Sequence, residues 1–371
     1  MPARICIASH ARLTSVLMKL SDFLTDQPGP EAPHLISLTP GAALPGGHIE
    51  ICGTALGPNG NVMPTALVGE TPAMVVLSRS ARAVVVVPEG AIASDLHLIQ
   101  ANGRSNGLPL RVAVPLIETL HPVANPAVDA NGDVFVMFSG PRGEKVDVSI
   151  FRVGRDFQVR PFARDLMNVS SLAFDRHGFL YASSRAEGTV YRISPDGEIS
   201  TFAQGMGIAT GLAFDREGNL FVGDRSGTIF KIGPWGSKDA GEIFVFATLE
   251  FSVAAYHLAF RDDGTLLVTA PTTSSNDVIH AIDPEGNSTI FYRGLGRPQG
   301  LAVDVDGNVY VAASLGGRRG IVRIDEARNA ELVLAGNDLV GFAFLDDGMA
   351  ALCTRSAMFQ VELGIQGRPL F

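Results

Sequence analysis

A short phrase recurs through the last two thirds of the chain and constrains the fold more than any other feature. It reads GLAFDREGNLFVGD from Gly211, and it returns as SLAFDRHGFLYASS from Ser171 and as GLAVDVDGNVYVAAS from Gly300. Aligned on the glycine of its turn, which reads D-x-x-G in four copies and x-D-D-G at Gly264 and Gly348, the phrase falls at Gly132, Gly178, Gly218, Gly264, Gly307 and Gly348. Six copies at intervals of 40 residues (178 to 218) to 46 residues (132 to 178) indicate a repeat architecture.

Each copy contains three or four short segments with alternating apolar and polar residues, separated by Asp, Asn and Gly turns. Such a unit is one antiparallel sheet, and a single sheet cannot bury both of its faces. Six sheets arranged radially cover one another, so residues 118–371 are predicted to form a six-bladed β-propeller. The turn glycines are expected at positive φ, with the aspartate bonding back to the backbone.

The last copy ends too early to complete a fourth strand. We therefore expect the final blade to borrow a strand from the chain before the first blade, such as LRVAVPLIETL. Upstream, residues 33–114 contain about seven closely spaced short strands, which favour an immunoglobulin-like sandwich. Residues 1–32 are interpreted as an N-terminal extension. The predicted fold class is all-β, with an immunoglobulin-like β-sandwich followed by a six-bladed β-propeller.

Composition excludes several function classes. The net charge of −9 disfavours nucleic-acid binding, because an acidic surface repels phosphates. No apolar run reaches the roughly 18 residues of a membrane helix. Basic residues interrupt the N-terminal apolar segment, which does not read as a signal peptide and so favours the cytoplasm over secretion. The widely spaced Cys6, Cys52 and Cys353 indicate free thiols rather than disulfides or a metal site.

Two family resemblances add to these inferences. The upstream segment resembles the IPT/TIG family in its start, its glycine-bounded strand pair, its Val-Pro strand end and its closing hairpin, which here are Pro33 to Pro40, Gly46, Gly47 and Gly53, Val87-Pro88, and Gly103 to Ser105. That resemblance implies a spacer or adhesive module. The repeats from Glu118 to Phe371 resemble NHL repeats and the SMP-30/gluconolactonase propellers, most closely in the stretch Arg297 to Asp325.

The lactonase resemblance implies a metal site, which can be checked against the residues of this chain. Its members hold one divalent cation with Glu, Asn and Asp side chains placed where the innermost strands begin, and the metal can polarise a lactone carbonyl and activate water. The residues at the equivalent positions of this chain are Ala124, Ser170, Thr210, Tyr256, Gln299 and Val340. None is a carboxylate, and neutral ligands cannot offset the dehydration of a cation. We therefore predict no metal and no cofactor; calcium or another divalent cation belongs only to an alternative reading, a lactone hydrolase with a divergent metal site.

The mouth of the propeller channel is instead predicted to be polar and nearly neutral. Its candidate ligand-binding residues are Asn125, Ser170, Thr210, Tyr256, His257, Arg297 and Gln299. This set suits a small polar ligand or a protein or peptide end, and it assigns no catalytic residue. His257 is the one group suited to proton transfer near pH 7, unless it packs against a neighbouring blade and bonds a carbonyl. The sequence thus favours a binding or scaffold protein.

Overall fold

The computed structural model describes residues 31–274 and 276–368, and these residues form strands, turns and loops without a helix. No segment in this part of the chain is therefore a helix long and apolar enough to cross a bilayer. The chain divides into two units, one ending at Val112 and the other beginning at Ala113. The predicted N-terminal extension lies outside the described residues, apart from residues 31 and 32, and so does Cys6.

The first unit is a set of short antiparallel strands with alternating burial. In the part of it that the structure describes, the strands are β1 (His34–Thr39), β2 (Ala42–Ala43), β3 (His48–Thr54), β4 (Thr65–Val68), β5 (Thr71–Arg79), β6 (Arg82–Val86), β7 (Ser94–Gln100), β8 (Gly103–Arg104) and β9 (Leu108–Val112). In β3, Ile49 and Ile51 are fully buried between more exposed neighbours, as a strand with one apolar face requires.

Hydrogen bonds join these strands in the order β1-β3-β6-β5-β4-β7-β9-β2, with β8 beside β7. An immunoglobulin-like sandwich divides its strands between two facing sheets, whereas one hydrogen-bonded path runs through these strands. The all-β prediction for this unit is confirmed. The immunoglobulin-like arrangement is not shown, because β5 pairs with β6 through Met74 to Arg79 and with β4 through Thr71 to Ala73.

The second unit consists of consecutive four-stranded antiparallel sheets. Its first strands are β10 (Val114–Glu118), β11 (Ala127–Val128), β12 (Val134–Met137), β13 (Ile150–Val153), β14 (Val159–Ala163), β15 (Val169–Phe174), β16 (Leu180–Ser184), β17 (Thr189–Ile193) and β18 (Ile199–Gln204). They continue as β19 (Ala209–Phe214), β20 (Leu220–Asp224), β21 (Thr228–Ile232), β22 (Ile243–Thr248), β23 (His257–Phe260), β24 (Leu266–Thr269), β25 (Asp277–Ile282) and β26 (Ser288–Leu295). The last are β27 (Leu301–Val303), β28 (Val309–Leu315), β29 (Arg318–Ile324), β30 (Ala330–Ala335), β31 (Leu339–Phe344), β32 (Met349–Thr354) and β33 (Ala357–Glu362).

Five separate four-stranded sheets are present among the described residues, which shows a β-propeller arrangement but not the six separate blades predicted. They are β11–β14, β15–β18, β19–β22, β23–β26, and β31–β33 completed by β10. The remaining strands, β27–β30, also pair consecutively and antiparallel, but they do not form a separate sheet of four. The sequence repeats predict the number of four-stranded units. The number of separate sheets depends in addition on which strands form hydrogen bonds at the sheet edges.

The strand borrowed by the last sheet is found where the sequence placed it. β10 runs antiparallel to β33, with Val114 opposite Gln360 and Glu118 opposite Ala357. Behind this pair, Met358 and Cys353 are fully buried in a cluster that includes Val136 of β12. The first and last sheets of the unit therefore share one apolar core, which closes the array.

The repeated turns have the predicted geometry. All six alignment glycines of these turns have positive φ, from 79° at Gly348 to 85° at Gly218. Asp175 shows the expected cap, since its Oδ1 accepts hydrogen bonds from the N–H groups of His177 and Phe179, both at 2.9 Å. A side chain at φ near 80° would be strained, so the glycine recurs for a steric reason.

Aromatic rings join adjacent sheets of the second unit. Phe221, in the second strand of its sheet, meets Phe246 of its own fourth strand with ring centroids 4.9 Å apart. The same ring meets Phe260 of the next sheet at 5.0 Å, also edge to face. Tyr181 repeats this arrangement one sheet earlier with Phe202 and Phe214. These contacts place the core between blades and leave the two ends of each sheet free for loops.

The two ends of the sheets differ in character. One end, here called the turn face, carries the D-x-x-G turns between first and second strands. The other, the loop face, carries the segments that precede each first strand and those between each second and third strand. All the candidate residues predicted from the sequence lie on the loop face, at or just before the first strands.

Candidate functional site

Ser170 and Thr210 lie near the start of the first strands β15 and β19, and both are buried. The hydroxyl of Ser170 donates to the carbonyl of Ala209, at 2.8 Å, in the next sheet. Thr210 donates to the carbonyl of Gly223, at 2.8 Å, and accepts from the N–H of Tyr256, at 3.1 Å. These hydroxyls satisfy backbone groups within and between blades, so they are not available to a ligand.

Asn125 precedes β11 and is half-buried. Its Nδ2 donates to the carbonyl of Leu301 at 2.8 Å, and its Oδ1 accepts from the N–H of Phe342 at 3.1 Å. A Cβ on Gly300 would overlap this Oδ1, so the glycine is required by the close approach. Asn125 thus connects three first strands of the propeller through its amide.

Tyr256 lies just before β23 and is fully buried. Its hydroxyl donates to the carbonyl of Glu250, and its side chain occupies the space beside Gly223. Burial raises the pKa of Tyr256 to about 12. The phenol therefore stays protonated at neutral pH and fills the gap between two sheets.

His257, the first residue of β23, differs from these residues because part of it has no partner. Its side chain is buried, with 4% exposure, and Nε2 has no hydrogen-bond partner among the described residues. Burial lowers the pKa of His257 to about 3, and the positive charge of Arg319 acts in the same direction. The ring is neutral at physiological pH, and the carbonyl partner expected for a purely structural histidine is not present at Nε2.

Arg319 is the residue that sequence reasoning missed. Its Nη2 donates to Oε1 of Gln299 at 2.6 Å and to the carbonyl of Leu339 at 2.5 Å, and its Nη1 donates to the carbonyl of Arg297 at 2.8 Å. Burial lowers the pKa of Arg319 to about 10, so it remains a cation at neutral pH. Arg297 itself is exposed and has a φ of 47°.

A signal for Arg319 was present in the sequence. Gly316 and Gly317 both have positive φ and make a two-residue hairpin turn. The turn lets β28 and β29 extend to seven residues each, where the corresponding strands β20 and β21 have five. The two additional residues carry Arg319 towards the first strands. The Gly-Gly pair followed by two arginines is therefore the sequence signal for this residue.

The structure brings His257, Gln299 and Arg319 together as one group on the loop face. Arg319 bonds Oε1 of Gln299, and Thr269, which lies opposite His257 in the sheet, donates its hydroxyl to the carbonyl of Gln299 at 2.7 Å. The carbonyl of Arg297 accepts from the same guanidinium. Ser170, Thr210 and Asn125 do not belong to this group, because their side chains bond backbone groups. The group offers a fixed cation, an amide and a neutral imidazole, and it contains no carboxylate. Among the described residues, no three His, Cys, Asp or Glu side chains are grouped so as to hold a metal ion. The group of His257, Gln299 and Arg319 is chemically suited to donate hydrogen bonds to oxygen atoms.

Comparison with protein-family models gives no match, and comparison with curated proteins gives none. Solved structures do match. A gluconolactonase from Xanthomonas campestris has a TM-score of 0.56 at 15% identity, covering 68% of this chain and 89% of its own. An auxiliary nutrient binding protein from Bacteroides thetaiotaomicron VPI-5482 has a TM-score of 0.51 at 10% identity, covering 90% and 98%. A protein of unknown function from the same organism reaches 0.55 at 13% identity, covering 91% and 99%.

At these identities the likeness concerns the fold alone. The similarity to a gluconolactonase agrees with the resemblance noted in the repeats, and it supports the propeller. The IPT/TIG and NHL resemblances are not shown by any of the comparisons. The described part of the chain is thus an all-β protein with a β-propeller similar to the gluconolactonase-like propellers.

Proposed function

We propose that this protein binds a small polar organic molecule on the loop face of its propeller, through hydrogen-bond donors and not through a metal ion. The binding group is His257, Gln299 and Arg319. The observation that carries the proposal is the buried Nε2 of His257, which has no partner in the described structure. A buried polar atom without a partner costs about 1–3 kcal/mol, so a ligand atom that satisfies it gains that amount of affinity.

Arg319 defines what such a ligand needs. Backbone carbonyls and Gln299 hold the guanidinium in place, and the carboxylate of Asp338, whose charge raises the pKa of Arg319, is itself hydrogen-bonded to Arg355. Among the described residues, no carboxylate is hydrogen-bonded to this guanidinium, and the one that acts on it, Asp338, is shared with Arg355. Carbonyl, hydroxyl or carboxylate oxygens of a ligand suit this position, since each accepts hydrogen bonds from a cation. The fold shared with an auxiliary nutrient binding protein supports a binding role.

We further propose that the propeller has six blades, with β27–β30 as the fifth around the ring. The first strands β23, β27 and β31 contact one another in that order, as β15, β19 and β23 do. For the first unit we propose an immunoglobulin-like sandwich in which β5 passes from one sheet to the other. Its two ends pair with different strands, as a strand shared between two sheets requires.

The alternative function is lactone hydrolysis of the gluconolactonase type. The fold shared with the Xanthomonas enzyme keeps this alternative open. It would need a metal site built differently from that of the family, because the six positions where the first strands begin carry no carboxylate. The following experiment separates it from ligand binding.

The test uses the full chain and two probes, D-gluconate and glucono-1,5-lactone, titrated by calorimetry in the presence of EDTA. We expect saturable binding of at least one probe without turnover. The variant His257→Phe keeps a ring of similar volume and removes Nε2, and it should weaken that binding about tenfold. His177→Phe, a histidine in a turn on the opposite face, is the matched control and should bind as the wild type does.

Three results would contradict the proposal. Equal affinity in the wild type and in His257→Phe would remove the histidine from the site. Lactone hydrolysis that appears on adding calcium and disappears with EDTA would favour the alternative. Absence of binding by both polyhydroxylated probes would exclude this ligand class.

A further inference from the structure

A second cluster of cations lies elsewhere on the loop face, over the first three sheets of the propeller. It consists of Arg142, Arg185 and Arg225, each in the segment between the second and third strands of its sheet. We propose that this arginine cluster is an oxyanion-binding site that takes the carboxylate or phosphate group of a small ligand. It involves none of His257, Gln299 and Arg319, here called the channel-mouth group, and stands independently of the function proposed for them.

Asn168 places the first two arginines near each other. Its Nδ2 donates to the carbonyls of Gly140 and Pro141, at 2.9 and 2.8 Å, and its Oδ1 accepts from the N–H of Gly143, at 2.7 Å. These three bonds clamp the loop on both sides of Arg142. The backbone carbonyl of Asn168 accepts from the N–H of Arg185, at 3.2 Å. One buried asparagine thus anchors the backbones of both arginines across two sheets.

Arg225 occupies the position equivalent to Arg185 in the next sheet, directly after the second strand. Its Nη2 donates to the carbonyl of Val253 at 2.9 Å, and its backbone N–H donates to Ile208 at 3.2 Å. The guanidinium is therefore fixed by backbone acceptors, which do not neutralise its charge. Burial lowers the pKa of Arg185, and the positive charges of Arg225 and Arg142 act in the same direction. Arg185 therefore lies within the electrostatic reach of both other cations.

In the described part of the chain, no carboxylate forms an ion pair with any of the three guanidinium groups. Within the part of the chain that the structure describes, the guanidinium groups of Arg142 and Arg185 have no hydrogen-bond or ion-pair partner. The buried carboxylate of Asp224 accepts the N–H groups of Ile208 and Ser226, at 2.5 and 2.8 Å. The carboxylate of Glu187, on the loop of Arg185, accepts the hydroxyl of Tyr191 at 2.6 Å.

Three neighbouring cations are unfavourable without an anion, and here they occur in a chain with a net charge of −9. The half-buried Arg185 presents a free planar fork of donors, the geometry that pairs with the two oxygens of a carboxylate or phosphate. A lysine would offer only a point charge. A bound oxyanion would lower the repulsion among all three side chains at once.

The experiment titrates the full chain with inorganic phosphate and, separately, with citrate, at constant ionic strength set with sodium chloride. We expect saturable binding of one or both by calorimetry; phosphate alone points to phosphorylated ligands and citrate alone to organic acids. Arg185→Gln should weaken that binding about tenfold, and Arg142→Gln should weaken it in the same direction. Circular dichroism checks that both variants keep the fold, which is expected because neither side chain has a protein partner.

Arg176→Gln is the matched control, since it removes one exposed positive charge from a turn on the opposite face. It should leave the affinity unchanged. His257→Phe should also leave it unchanged, which separates this site from the channel-mouth group. The proposal is overturned if neither anion binds saturably, or if Arg176→Gln weakens binding as much as Arg185→Gln does.

Discussion

At the scale of single residues, the buried polar side chains among the candidate residues divide into those with partners and His257, whose Nε2 has none. The side chains of Ser170, Thr210 and Asn125 form hydrogen bonds with backbone groups that would otherwise be unsatisfied. Nε2 of His257 has no such partner, although His257 is buried as Ser170 and Thr210 are. Hydrogen bonds to the backbone give Ser170, Thr210 and Asn125 a structural role. Burial without a partner makes His257 the residue on which the proposed function rests.

His257 should also make stability depend on pH. Its folded pKa is about 3, whereas an unfolded histidine titrates near 6.5, so the unfolded chain binds an extra proton between these values. Stability therefore falls as the pH drops below about 6.5. In urea unfolding, the wild type should lose about 1.4 kcal/mol more than His257→Gln between pH 7.5 and 5.5.

Other titrating groups are common to both proteins and cancel in this comparison. If the variant and the wild type lose equal stability over that interval, the neutral buried imidazole is the wrong description of His257.

At the scale of elements, the aromatic contacts between adjacent sheets hold the propeller together. Phe221 is buried, with 3% exposure, and touches rings in its own sheet and in the next. Phe221→Ala removes both contacts and leaves a cavity at an inter-blade seam. We expect the free energy of unfolding to fall by about 3–5 kcal/mol.

Phe244→Ala is the control for this prediction, because Phe244 is 49% exposed in β22 of the same sheet. Its truncation should cost less than about 0.5 kcal/mol. Similar losses in the two variants, measured by urea unfolding, would show that the seam does not contribute specially to stability.

At the scale of the whole molecule, closure of the array depends on β10. This strand precedes the first repeat in the chain but belongs to the last sheet, so the second unit needs both of its ends. A fragment of residues 113–371 contains β10 and should unfold in one cooperative transition. A fragment of residues 119–371 leaves β33 as an unpaired edge and should unfold at a lower temperature or aggregate.

Thermal unfolding followed by circular dichroism compares the two fragments, which differ by six residues only. Equal midpoints would mean that closure by β10 contributes little, and that the apolar core shared by the first and last sheets is sufficient.

Local rules were enough to predict a large part of this protein. The positive φ at Gly178 and Gly218, the caps of the turn aspartates and the strand borrowed by the last sheet all follow from residues close in sequence or from the count of strands. Steric limits on φ and the period-2 alternation of strands act over a few residues, and they leave a direct record in the sequence.

The tertiary structure decided which polar side chains have hydrogen-bond partners. The sequence placed Ser170, Thr210 and His257 in one set, yet only His257 kept a free polar atom, because hydrogen bonds between blades join residues tens of positions apart. Arg319, and the arginine cluster brought together by Asn168, came from the same long-range geometry. Residue types and periods determined the sheets, and the contacts between sheets decided which side chains were left to bind a ligand.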